Sequence, residues 1–256
     1  MHLQPQVIAL GAFVGVLVGL TGMGGASLMT PLLVLVVGVR PVLAVGTDLV
    51  YSFVSKIAGL GVHARQKTVH WKTALRVASG SIPGSLLGLG TLTFMQRRMD
   101  MQDVDQVVLH LLGMMLVIVG LAMTLRLLLP ARLPTLWTSE RQQKLLLPVG
   151  GALVGFIVGL TSVGSGTLVV VLLTLVTPLP AARIVGTDIA QAVMLLAASS
   201  TGHLLAGNVD LSMTGNLLIG SIPSVIVGSR LCNRIPERPL RLSLAAVLLV
   251  SGLRLL

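Results

Sequence analysis

Gly19-Leu20-Thr21-Gly22-Met23-Gly24-Gly25-Ala26-Ser27 comes twice in this chain. At a shift of 140 positions stands Gly159-Leu160-Thr161-Ser162-Val163-Gly164-Ser165-Gly166-Thr167. Each copy interrupts an apolar run, residues 7–38 and 146–178. Gly, Ser and Thr clustered inside such a run mark a break in a helix. Irregular backbone at membrane depth persists only where protein buries it or where it lines a cavity. Two such breaks at corresponding places are the pattern of a small transporter with one central site.

The repetition reaches well beyond the breaks. Over residues 11–88, 26 of 78 positions are identical to 151–228. Val45-Gly46-Thr47-Asp48 recurs as Val185-Gly186-Thr187-Asp188, His63 as His203, and Gly80-Ser81-Ile82-Pro83 as Gly220-Ser221-Ile222-Pro223. Matches of this kind exceed the chance likeness of two apolar segments and point to two homologous halves.

Composition sets the class. The 256 residues are 54% hydrophobic and 10% charged, where a soluble domain carries about 25% charged residues. Several apolar runs reach the roughly 20 residues that a membrane-spanning helix needs. They are continuous and do not alternate, so helices are expected and a barrel is not. The expected fold is an all-α polytopic membrane protein forming one domain, 1–256. It consists of repeat 1 (1–129), a polar linker (130–144) and repeat 2 (145–256). Each repeat is a broken, re-entrant helical hairpin followed by three transmembrane helices.

The net charge of +10 reads as loop charge on the cytoplasmic side. It does not read as nucleic-acid binding, because no soluble basic domain accompanies it. Cys232, the single cysteine, leaves no internal disulfide and no CxxC pair. The first apolar run leads into the repeat and reads as structure, not as a removed signal.

In each half the helices after the hairpin are expected at about 43–64, 73–95 and 105–129, and at 183–205, 212–230 and 239–256. Pro83 and Pro223 should kink the helices that hold them. Arg65, Lys67, Lys72 and Arg76 follow the first half's second helix, while the matching stretch around 207–210 has no Lys or Arg. After the third helix the bias reverses. Equivalent loops then lie on opposite sides, which makes the halves an inverted repeat. The linker falls on the basic side, so each broken run must enter and leave by the same face. About 32 residues would then give two half-helices of about 13–15 residues, too short for a ~30 Å hydrocarbon core. Six full crossings and two hairpins result.

A half-helix starting at mid-membrane points free N–H groups and the positive end of its dipole into the cavity. Two such starts facing one point suit a small anion. The candidate substrate-binding residues are Thr21, Gly22, Gly24, Gly25, Ser27 and Thr47 in the first half. In the second they are Thr161, Ser162, Gly164, Ser165, Gly166 and Thr187. Close helix packing by small residues is the plainer reading of the glycines. Intramembrane ionisable residues are costly and default to function, which makes Asp48, Asp188 and Lys56 candidates for coupling protons. For the acids an N-cap role is the alternative; for Lys56 it is an ion pair with Asp48. His63 and His203 are either polar anchors near the interface or further coupling groups. No metal site is expected, because no Cys or carboxylate completes a ligand set with the histidines. No nucleotide motif or nucleophile–base pair points to a cofactor or to catalysis.

Gly19 to Leu28 followed by Pro31-Leu32-Leu33, then Ala44-Val45-Gly46-Thr47-Asp48, His63 and Val69-His70-Trp71, resemble the TauE/SafE family of sulfite exporters. That family is also called the 4-toluene sulfonate uptake permease family. The resemblance covers nearly the whole chain. It implies a multi-pass protein of the bacterial inner membrane that carries small sulfur anions such as sulfite, sulfoacetate or sulfonates. Gly24-Gly25-Ala26 and Gly164-Ser165-Gly166 depart from the family's usual three-glycine run, and Asp48 and Asp188 stand where an uncharged residue is frequent. The expected function is alternating-access transport of a small anion, with lipid and protons as the other partners. The alternatives are a passive anion channel and a non-transporting membrane scaffold.

Overall fold

The computed structural model describes residues 3–21, 26–128, 139–231 and 237–256. Among these residues the regular elements are all helices. They are α1 (Pro5–Thr21), α2 (Ala26–Leu32, prolonged by a π turn at Leu33–Val37), α3 (Pro41–Arg65), α4 (Trp71–Arg98) and α5 (Met101–Leu128). Then come α6 (Glu140–Thr161), α7 (Thr167–Val176), α8 (Ala181–Leu205), α9 (Leu211–Leu231) and α10 (Glu237–Leu255). Five of them, α3, α5, α6, α8 and α9, are long and apolar enough to cross a membrane. Exposed apolar side chains such as Leu87, Leu125 and Leu153 give the outer surface a lipid-compatible character. The chain is a polytopic, all-α membrane protein.

The helix starts follow local chemistry. Pro41 opens α3 at its first turn, where its missing N–H leaves nothing unpaired. His70 caps α4, its Nδ1 accepting the Thr73 N–H. At the position equivalent to His70, Asp210 caps α9 by accepting the Met213 N–H at 2.9 Å. Helices α4 and α9 continue through Pro83 and Pro223.

Small residues decide which helices meet. A Cβ on Gly80 would lie 1.8 Å from the Pro148 carbonyl oxygen; Gly84 meets Ala152 in the same way, and Gly88 meets Phe156. From the other side Gly151, Gly155 and Gly159 meet Val77, Ser81 and Ser85. The approaches advance together along both helices, so α4 and α6 run parallel, with backbones as close as small-xxx-small packing permits. Gly11 and Gly15 against Leu217 and Ser221, with Gly220 against Ile8, make the same parallel contact between α1 and α9. The long arm of each hairpin therefore packs on the other half's third helix.

Two further pairs join equivalent helices. In α5 and α10, Gly113 lies against Gly252 and Gly120 against Leu249. In α3 and α8, Gly59 approaches Ile189, Gly46 meets Asn208 beyond the end of α8, and Gly186 meets Thr68 beyond the end of α3. Both pairs run antiparallel.

The hairpins differ from the expected pair of equal half-helices. In the second hairpin the arms have 22 and 10 residues, about 33 Å and 15 Å at 1.5 Å per residue. In the first, α1 has 17 residues and α2 has 7 before its π turn. The long arm grows because α6 starts at Glu140, inside the stretch read as linker. There Lys72 and Arg76 of α4 hold the Glu140 carboxylate at 2.7 and 3.0 Å. The expected crossings also included α4 and α10 and omitted α6. At 28 residues α4 has the length, but the Gly, Ser, Thr and Pro of its uncharged stretch 77–94 lower its hydropathy, and it lies outside the apolar set.

Candidate functional site

The Val-Gly-Thr-Asp motif is where the two halves meet. A Cβ on Gly46 would lie 1.9 Å from the Asn208 carbonyl oxygen, and one on Gly186 2.6 Å from the Thr68 hydroxyl. Each glycine lets the other half's loop close on the helix. The next residue fixes that loop: Thr47 Oγ1 accepts the Asp210 N–H at 3.1 Å, and Thr187 Oγ1 accepts the His70 N–H at 3.0 Å. Both hydroxyls, candidates for the substrate, serve as matched clamps between the halves. The motif's last residue faces the centre.

Asp48 is the eighth residue of α3, two turns inside, and Asp188 is the eighth of α8. An N-cap must stand at the first turn, so capping is not their role. Asp48 is fully buried. Its Oδ2 accepts the hydroxyls of Thr30 and Ser162, and its Oδ1 accepts that of Ser52 at 3.0 Å. These donors come from α2, α3 and the tip of the second hairpin.

That tip, residues 162–166, is the part of the predicted site that the structure brings together. Ser162 takes the left-handed conformation, φ 60°, and its N–H closes α6 on Val158 O. Gly164 has φ +94°, a value that side-chain-bearing residues rarely adopt. Lys56 Nζ donates to Ser165 Oγ at 3.2 Å, and a Cβ on Gly166 would lie 3.6 Å from Asp188 Oδ2. One turn of chain thus touches Asp48 through Ser162 and Lys56 through Ser165, and its Gly166 faces Asp188. The turn at 163–166 leads straight into α7 at Thr167, so the backbone N–H groups of the first turn of that helix lie at the tip.

Lys56 does not form the ion pair with Asp48 that is the alternative to a coupling role; the Asp48 oxygens are taken by the three hydroxyls. Both carboxylates lie near enough to act electrostatically on Lys56. Thr161 belongs to the tip's own framework: its hydroxyl donates to Ile157 O and accepts the Val163 N–H. In the first hairpin Thr21 closes α1 and Ser27 lies in the first turn of α2. Gly22, Gly24 and Gly25 lie outside the described residues.

The histidines differ from each other. His63 is partly exposed and its Nδ1 meets the Thr68 hydroxyl at 2.9 Å. His203 is fully buried and donates from Nε2 to Gly159 O at 2.9 Å, so it is not an interface anchor. Among the described residues no group of His, Cys, Asp and Glu is placed to hold a metal ion. A surface groove along α5, lined by Asp103, Gln106 and His110 among others, contains none of the residues of the centre.

Sequence reading passed over Thr30 and Ser52. The 140-residue shift carried a signal for them, because Thr30, Ser52, Ser162 and Lys56 align with Val170, Ala192, Gly22 and Leu196. Every group that contacts Asp48 or adds a cation is replaced in the other half by one that cannot do so.

A helical membrane protein of two interlocked halves, with three buried ionisable residues around one hairpin tip, has the anatomy of a membrane transporter. The chain belongs to the sulfite exporter TauE/SafE family, whose model matches residues 7–255. It is 43% identical over 255 residues to the probable membrane transporter protein YjnA of Bacillus subtilis (strain 168), covering 98% of this chain and 99% of that one. A probable membrane transporter protein of Xylella fastidiosa (strain Temecula1) is 31% identical over 198 residues, 74% of this chain and 70% of its own. One of Methanocaldococcus jannaschii is 26% identical over 272 residues, 99% and 96% of the two chains. No solved structure matches. Family and relatives place the chain among membrane transporters.

Proposed function

We propose that this protein is a secondary transporter of small sulfur oxyanions, of the sulfite, sulfoacetate or organosulfonate type, across the plasma membrane. The observation that carries the reading is the buried Lys56 ammonium, 3.2 Å from Ser165 at the head of α7. A cation and the N-terminal end of α7 converge there, and both favour an anion. The family's name supplies the sulfur chemistry.

Charge balance argues for proton coupling. Asp48, Asp188 and Lys56 ionised together carry one net negative charge. An anion entering beside them is repelled unless one carboxylate takes a proton, so anion and proton bind together. The antiparallel α3–α8 and α5–α10 pairs support an inverted repeat. The basic residues between Arg65 and Arg76, together with Arg141 and Lys144, support a cytoplasmic position for that end. Alternating access then tilts one set of helices against the other around the hairpin tip.

The test is flux through purified protein in liposomes, with sulfite, sulfoacetate and an aryl sulfonate as substrates. Saturable flux that rises as pH falls is expected. Unsaturable conductance would make the protein a channel, and no flux of any sulfur anion would return the substrate class to the open question.

A further inference from the structure

Helix α8 carries a second set of buried polar groups that the anion site does not use. Gln191, Ser199 and His203 are each fully buried. Their positions, with Asp188, fall within about a third of the helix circumference at 100° per residue. Among the described residues Gln191 Oε1, Ser199 Oγ and His203 Nδ1 have no hydrogen-bond partner. Gln191 Nε2 donates to Ser81 Oγ of α4 at 2.7 Å, and His203 donates to Gly159 O of α6. Ser85, also buried, lies where α4 meets Gly159. A seam of polar atoms thus follows α8 against α4 and α6, from Asp188 to the helix's last turn, about 22 Å at 1.5 Å per residue.

The fold does not require all of this polarity. In the equivalent seam of the other half, Ser85 is replaced by Val225 and Ser199 by Gly59, and His63 is turned outward to Thr68, while buried Tyr51 stands in place of Gln191. Buried polar atoms left without partners cost roughly 1–3 kcal/mol each and call for an explanation such as water. We propose that this seam is a hydrated proton path joining Asp188 to the membrane face at the end of α8, with His203 as its relay group. The carbonyl of Gly159 can only accept, so Nε2 keeps its hydrogen. The proton arrives on Nδ1, giving an imidazolium with its Gly159 bond intact, and leaves from Nδ1 to the next oxygen in the seam. Charged and titratable residues on the packed elements are Lys72, Arg76, Arg97 and Arg98 of α4, Glu140, Arg141 and Lys144 of α6, and Arg183 and Asp188 of α8 itself. Helix α3 adds Asp48, Tyr51, Lys56, His63 and Arg65; α7 has none. Among the described residues no ion pair or hydrogen bond joins any of these to His203.

The proposal rests on the proton-coupled reading, but its first test needs no substrate. Deuterium exchange at the histidine C2 position, read by mass spectrometry in lipid nanodiscs, compares buried His203 with exposed His110. Exchange at His203 within about tenfold of His110 is expected for a hydrated seam, and slower exchange overturns it. The second test uses His203→Gln, which can still donate to Gly159 O but cannot carry the proton. In liposomes, proton movement accompanying sulfite flux should fall about tenfold while sulfite exchange without net flux continues, the split expected of general-base loss. Equal loss of both, or no change in either, overturns the relay. Absence of any sulfite exchange in the unaltered protein would instead defeat the substrate assignment and leave the exchange result standing.

Discussion

The hydroxyl of Ser162 at the second hairpin tip donates to the carboxylate of Asp48 on α3 at 3.0 Å, and it does so from a left-handed residue, φ 60°. Two effects meet at this position. Ser162→Ala loses the hydrogen bond and keeps the left-handed backbone. Ser162→Gly, which installs the residue found at the equivalent Gly22, loses the bond but relieves the backbone. Glycine should therefore be the more stable replacement by about 1 kcal/mol. Thermal unfolding of the two variants in detergent reads the difference, and equal midpoints would mean that the tip is not strained.

The close helix contacts predict a sharp contrast among glycines. Gly155→Ala puts a Cβ 2.1 Å from the Ser81 carbonyl oxygen, and Gly80→Ala puts one 1.8 Å from that of Pro148. Both clashes are with backbone, so helices α4 and α6 must separate. A loss of at least 1–3 kcal/mol is expected, roughly the cost of overpacking a close-packed site. Gly90, also in α4, has nothing within 4 Å of its added Cβ, and Gly90→Ala should leave the unfolding midpoint unchanged or slightly raised.

Equivalent loops should be reached from opposite sides. In a Cys232→Ser background, cysteines at exposed Lys67 and Ala206 sample the ends of the antiparallel pair α3 and α8. A membrane-impermeant maleimide added to intact cells is expected to label position 206 and not 67; after the cells are opened, both should react. Labelling of both positions in intact cells would remove the inverted arrangement.

Much of the fold was legible because the repeat is so regular. The spans expected for α3, α4, α5, α8, α9 and α10 agree with the helices to within a few residues at each end. The arms of the hairpins were not, because the Gly/Ser/Thr break marks the tip without saying where the arms begin. Glu140 to Lys144 looks like a linker by charge, yet it forms the first turn of α6 once Lys72 and Arg76 hold Glu140. Asp48 looked like a cap because the start of α3 was set two residues late; Pro41, a strong first-turn signal, marks the start and puts Asp48 two turns inside. The roles of Gly46 and Thr47 depend on Asn208 and Asp210, more than 160 positions away, and no local pattern reveals such a contact. The charged centre was partly visible, since Lys56 aligning with Leu196 already declared that the two halves do not do the same chemistry.

The balance of charges around the tip fixes a sign for pH dependence. With both acids ionised, the anion meets one net negative charge, so flux should fall as pH rises. Asp188→Asn leaves one carboxylate facing one ammonium, and the anion then needs no accompanying proton. Flux in this variant should persist at high pH and lose its steep dependence, although no longer driven by a proton gradient. Initial rates of sulfite uptake into liposomes from pH 5 to pH 9 check this. A profile parallel to that of the unaltered protein would assign the coupling elsewhere.

Lys56→Leu gives the first half the residue that the second half carries at position 196. It leaves Asp48 and Asp188 buried without the cation that acts on both, a change that typically destabilises by roughly 3–5 kcal/mol. Adding Asp188→Asn removes one of the stranded charges, so the double variant should recover a large share of that stability. Transport should not recover, because the anion has lost the ammonium that faces it beside Ser165. Unfolding midpoints and sulfite flux, measured on the single and double variants together, separate a cation needed for folding from one needed for the substrate. Restored flux in the double variant would mean that Lys56 serves only to balance the acids, and that the N–H groups at the head of α7 hold the anion unaided.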